Sequence, residues 1–275
     1  MRVSLTTWGS LQTSEILDAA PQLVGELNSG GAPSARLMGS CAVAHRCPGH
    51  LDVWANSSRT DIPDVDLVLR RGEKRCARAA LKLLGYQQNR QMIIDGARFD
   101  RLFFWPPGDS SFIVEVIPSP LELHHTIPVA PWDVSESTTL PLTELFLTKM
   151  QYDFLLPDDI LDVIVLLLES RWPTAPGESI SVDRVAHATG RDWALSYTLR
   201  RNLAELLKTL RSFPNFEGRE SLLRDIRDLQ AAISDAPKSS RWYLRSSVQR
   251  LVPCAPIGRS VEDARRAKVN DRIAS

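Results

Sequence analysis

Two carboxylates one residue apart inside an apolar run, Asp64-Val65-Asp66-Leu67-Val68-Leu69, constrain this chain more than any other stretch. The run reads as a strand, and alternate strand side chains share a face, so Asp64 and Asp66 project together. Two like charges so placed repel unless a cation sits between them, and Mg²⁺ takes oxygen ligands of this kind. Upstream, residues 35–38 read as a short apolar strand that breaks at Gly39-Ser40 and continues into a helix over 41–46. A Gly-Ser turn offers close backbone approach, N–H groups and a hydroxyl, which suit phosphate oxygens. A divalent metal beside a phosphate cradle is the requirement of phosphoryl or nucleotidyl transfer.

The surrounding pattern is that of a small mixed sheet with helices. A helix is expected over 17–27, with Pro21 in its first turn or breaking it. Residues 75–84 carry helical spacing at Cys76, Ala79, Ala80, Leu83 and Leu84, and Gly85 stops them. Strands follow at 86–94, 97–105 and 112–117, with Asp95-Gly96 as the hairpin signal between the first two. Pro106-Pro107-Gly108-Asp109 turns the chain before the third. Arg98 and Arg101 flank this sheet, where they could face phosphates or pair across strands with Asp95 or Asp100. His124-His125 looks like a metal pair, but adjacent strand residues point to opposite faces, so the pair reads as structural.

Pro141 suits the first position of a helix over 142–151, with a stripe of Leu142, Leu145, Phe146 and Met150 and Lys149 at its edge. Pro157 starts a second helix through 169, and Asp158, Asp159 and Asp162 fall in its first turns, where the helix dipole favours acids. The segment 171–177, Arg-Trp-Pro-Thr-Ala-Pro-Gly, reads as a linker. Helices are then expected at 182–188, 193–210, 219–233 and 239–251. The expected fold class is an α/β domain over 1–170, an all-α domain over 178–252 and a polar tail over 253–275.

The chain resembles the nucleotidyltransferase fold of the DNA polymerase β superfamily on Leu37-Met38-Gly39-Ser40, the Asp64-Val65-Asp66-Leu67 unit and Glu115 within Ser111–Ile117. The run Leu140-Pro141-Leu142 through Thr148-Lys149-Met150-Gln151 resembles bacterial nucleotidyltransferases related to AbiE-type abortive-infection toxins. The Asp192-Trp193 and Ala236–Trp242 segments resemble uncharacterised actinobacterial members of that group. The resemblance implies transfer of a nucleoside monophosphate from an NTP to an acceptor. Asp64, Asp66 and Glu115 would hold Mg²⁺ or Mn²⁺, Gly39 and Ser40 would bind the triphosphate, and Lys149 would neutralise its charge. It also implies tRNA as acceptor and a cognate antitoxin as partner, with Asp162 as a further site candidate beside Arg98 and Arg101, which are candidates from their place along the sheet. Three departures stand out: the 23 residues between Ser40 and Asp64 make a longer gap than is usual, Glu115 replaces the usual Asp, and Asp158-Asp159 stands where relatives often carry Lys-Asp.

Net charge is zero, but residues 1–170 carry 14 Lys and Arg against 21 Asp and Glu, and residues 171–275 carry 19 against 12. A basic helical half suits RNA, with Arg200, Arg201, Arg241 and Arg245 as candidate phosphate contacts, unless solvated helix faces simply differ in charge. A small-molecule nucleotidyltransferase of the antibiotic-modifying kind and a degraded nucleotide-binding module are the alternatives. The four cysteines, Cys41, Cys47, Cys76 and Cys254, form no zinc spacing and read as reduced thiols. No apolar signal core opens the chain, and its longest apolar run, 163–168, is too short for a bilayer. The expectation is a soluble cytoplasmic protein with no membrane partner.

Overall fold

A computed structural model describes residues 11–57, 59, 61–89, 100–108, 112–129, 137–171, 179–212 and 218–248. By packing, the chain divides into one unit of residues 1–122 and 127–145 and a second of 123–126 and 146–275. The sequence places the boundary at 171–177 instead. The reason for the difference is the helix over 157–169, whose side chains from Val163 to Leu168 are all buried within the second unit.

The first unit is a mixed α/β fold. Helix α1 (Leu11–Ser29) precedes strand β1 (Arg36–Met38), helix α2 (Gly39–Arg46), a one-turn helix α3 (Asp52–Ala55) and strand β2 (Asp64–Arg70). Helix α4 (Lys74–Leu83) leads to strands β3 (Gln87–Gln88), β4 (Leu102–Trp105) and β5 (Ile113–Ser119). The sheet order is β1-β2-β5-β4-β3, with β2 and β5 parallel at the centre and every other pair antiparallel. Both central strands alternate half-buried and buried residues at their start and then run fully buried, as expected where a sheet edge opens to solvent above a core. Helices α1 and α2 pack on β1 and β2.

Pro21 lies inside α1 rather than in a first turn. Burial of Ile16, Ala20, Leu23, Val24 and Leu27 along one face holds the helix together across the missing hydrogen bond. On α4 the buried residues are Ala77, Ala80 and Leu81, whereas Cys76 and Ala79 are exposed and Leu83 is 89% exposed. The expected Asp95-Gly96 hairpin and Arg98 lie outside the described residues. Two short strands, β6 (Leu121–Glu122) and β7 (Thr126–Ile127), follow β5, and Thr139 bridges to Leu37 as a parallel extension beyond β1. Helix α5 (Leu142–Met150) begins immediately afterwards.

The second unit is helical: α6 (Pro157–Glu169), α7 (Val182–Arg191), α8 (Trp193–Ser212), α9 (Arg219–Asp235) and α10 (Ser240–Ser247). Helix α9 packs on α6, α7 and α8, and α10 packs on α7 and α8. Caps mark the starts. Ser181 accepts from the Arg184 amide at 3.3 Å, and Asp192 accepts from the amides of Ala194 and Leu195 at 2.9 and 3.2 Å. Ser239 accepts from the Trp242 amide at 3.2 Å. The expected helix over 239–251 is described only to Ser247, and the tail lies outside the described residues.

Candidate active site

The register of the sheet aligns the acids. Asp66 pairs with Glu115 across the parallel β2–β5 ladder, and Met38 pairs with Asp66 on the other side. Paired residues on neighbouring strands share a face, and Asp64 lies two residues before Asp66, so all three carboxylates stand on one side of the sheet. Each is only partly buried, at the open end of strands that are otherwise core.

Gly39 closes this end. It holds φ +68°, and a Cβ built there would lie 2.2 Å from Oδ2 of Asp66. The close approach that a Gly-Ser turn permits is thus an approach to the carboxylate itself. Gly39 also starts α2, whose N-cap, Met38, makes no side-chain capping bond, so the first-turn amides are not satisfied by their own cap. Ser40 sits in that turn, half-buried. Cys41, one residue on and 1% exposed, feels both acids. Burial first, then the charges of Asp66 and Asp64, push its thiol far above the ordinary range, so it stays neutral. A thiol beside the carboxylates carries no motif of its own, and sequence reasoning passed over it.

Glu115 is engaged. Nη1 of Arg101 donates to Oε1 of Glu115 at 2.7 Å, with the two side chains 12% and 18% exposed. The register explains the pair: Phe103 opposes Glu115, so Arg101 stands two residues along the same face as its diagonal neighbour. Of the two acids expected to pair with this strand, Asp95 lies outside the described residues. Asp100 accepts from Arg71 at 2.8 Å and from Lys74. Among the described residues no group of three or more His, Cys, Asp or Glu converges as a metal cage. Asp64 and Asp66 remain an oxygen donor pair that suits a hard divalent cation.

Lys149, in the helical unit, is bound to two acids. Its Nζ lies 2.7 Å from Oδ2 of Asp162, which is fully buried, and 3.4 Å from Oδ1 of Asp159. Asp159 also caps α6, accepting from the Leu156 amide at 3.2 Å. The acids of α6 therefore orient Lys149 as well as suiting a helix start. His124 and His125 occupy the turn between β6 and β7, not a strand, and both are buried. Nε2 of His125 bonds Oγ1 of Thr198 at 2.9 Å, which ties the turn to α8.

The four candidate phosphate contacts separate. Arg201 pairs with Asp153 at 2.6 Å, Arg200 is exposed on α8, and Arg241 and Arg245 lie on α10. Comparisons with models of protein families, with curated proteins and with solved structures return no match to the chain.

Proposed function

We propose that this chain is a metal-dependent nucleotidyltransferase that moves a nucleoside monophosphate from an NTP to RNA, in the first instance tRNA, releasing pyrophosphate. The observation that carries the reading is the row of Asp64, Asp66 and Glu115 on one face of β2 and β5, with Gly39 closed against Asp66. Asp64 and Asp66 would hold Mg²⁺ or Mn²⁺, which when bound supplies Lewis-acid polarisation of the phosphate oxygens and of the attacking hydroxyl. Ser40, in the first turn of α2, offers its amide and hydroxyl to the triphosphate where the helix dipole favours anions. Glu115 completes the acidic set or takes the proton of the attacking hydroxyl, and either role requires its carboxylate to leave Arg101. Arg101, once released, is a cation already aimed along the same face and suited to phosphate. Lys149, oriented by Asp162 and Asp159, neutralises charge on the phosphates. Action as a toxin checked by a cognate antitoxin belongs to the same reading.

The test is incorporation of label from NTPs into bulk tRNA by the full-length protein with Mg²⁺. Asp64→Asn and Asp66→Asn are each expected to abolish transfer while preserving the fold. Removing one of two like charges relieves repulsion, so the melting temperature should hold or rise slightly. Near-normal incorporation by either variant overturns the metal assignment.

The Arg101–Glu115 ion pair supports a second reading, a nucleotide-binding or antitoxin-partnered module whose site no longer turns over. Calorimetry with Mg–NTP separates the two, because binding without transfer to any acceptor favours the module.

A further inference from the structure

We propose that the groove between α8 and α9 binds one unstacked nucleotide of a single-stranded RNA segment, with its base on Tyr197 and its phosphate on Arg200. This deepens the RNA reading of the proposed function and rests on it. The groove has a volume of about 610 Å³ and is lined by Tyr197, Arg200 and Arg201 of α8 and by Gln230 and Ser234 of α9. That volume is within the range of small-ligand sites, roughly 300–1,000 Å³.

Tyr197 is 47% exposed, so part of its ring is open to a ligand. One turn earlier, buried Trp193 stacks on it with centroids 5.5 Å apart and planes 24° apart. The ring is therefore already oriented, and an oriented ring stacks a base with little further ordering. Arg200 follows Tyr197 by three residues, which puts both on one side of α8, and it is exposed. Lys238 is not part of the groove lining: its Nζ donates to the Ile233 carbonyl and lies 5.5 Å from the Trp242 ring centroid. Burial first, then the charge of Arg200, holds the Lys238 ammonium below its ordinary range, with Asp235 acting in the opposite direction.

Arg201 adds less, because Asp153 already neutralises it. Gln230 brings an amide that can donate to and accept from a base edge. A platform and an amide read a nucleotide only when its faces and edge are exposed, as in a loop or a free end, and a duplex hides them.

The experiment measures anisotropy of a fluorescent short oligouridylate and of an RNA hairpin stem with the full-length protein at two salt concentrations. Tyr197→Ala is expected to weaken binding of the oligomer about tenfold and leave the stem unchanged, since base stacking is lost and phosphate contacts remain. Tyr197→Phe, which keeps the ring, should bind as wild type, and this guards against a misfolded variant. Arg200→Ala should flatten the salt dependence by about one unit of log–log slope. No effect of Tyr197→Ala, or an equal loss on stem and oligomer, overturns the proposal. Competition by UMP as tight as the oligomer's own affinity also overturns it, in favour of a free-nucleotide site. The assay contains neither NTP nor Mg²⁺, so its outcome is independent of the transfer reaction tested with Asp64→Asn.

Discussion

A methyl group at Gly39 would meet Oδ2 of Asp66 at 2.2 Å, and the residue already holds φ +68°. Gly39→Ala therefore carries two costs, the left-handed backbone of an L-residue and displacement of a carboxylate. Destabilisation of about 1–3 kcal/mol is expected, with weaker Mn²⁺ binding, because Asp66 must move. A denaturant melt paired with a Mn²⁺ titration checks both. Unchanged values in the two measurements would mean the turn yields, and Gly39 would lose its place in the site. Glu115 teaches a different lesson at the same scale. Its place among the acids came from the resemblance, whereas its alignment with Asp66 and its partner Arg101 followed only from the sheet register, which no local pattern specifies.

Among the elements, α4 shows how an amphipathic pattern can be right in kind and wrong in face. Its apolar residues form two overlapping stripes one residue apart, and both satisfy helical spacing. Packing against the rest of the unit selected Ala77, Ala80 and Leu81. The turn between β6 and β7 is anchored on α8 by His125, 5% exposed and bonded to Thr198. Burial, the largest influence, lowers the His125 pKa from 6.5 to about 4. Asp192 and Asp153 pull it up, and His124 and Arg201 push it down. A folded-state pKa below the unfolded value means the native state binds fewer protons. The stabilisation from this anchor is thus complete above pH 6.5 and lost as pH falls towards 4. The wild type should lose up to about 1.4 kcal/mol per pH unit across that window relative to His125→Gln. Parallel pH dependences in urea unfolding of the two proteins would refute the anchor.

For the whole molecule, moving the boundary from 171–177 into α5 changes what charge can be asked to explain. The unit of residues 1–122 and 127–145 carries 13 Lys and Arg against 16 Asp and Glu, and the other unit 20 against 17. A difference of seven charges on either side thus becomes three, because Asp153, Asp158, Asp159, Asp162 and Glu169, together with Lys149, join the helical unit. The argument for RNA then rests on a local patch, Arg200 beside Tyr197, more than on net charge. The boundary itself is testable. A fragment of residues 146–252 should melt cooperatively by circular dichroism. A fragment of 178–252 should not, because it lacks α6 and leaves the face of α9 that packs on it uncovered. Cooperative melting of the shorter fragment would restore the boundary at the linker.

The sequence by itself determined most of the helices and the pairing of two acids. Strand alternation placed Asp64 and Asp66 on one face, Gly39-Ser40 placed the turn, and helical spacing, with Pro157 in the first turn of its helix, placed the second half. All of these are local properties, set by backbone geometry within a few residues. Tertiary structure alone decided what each charged side chain meets. Arg101 on Glu115 and Lys149 on Asp162 are contacts between segments distant along the chain or joined through register. So are the groove under Tyr197 and the assignment of α6 to the helical unit. Such contacts depend on how faces are selected when several patterns satisfy the same period. Burial of the largest apolar area makes that selection, and it is a property of the folded chain and not of any stretch of it.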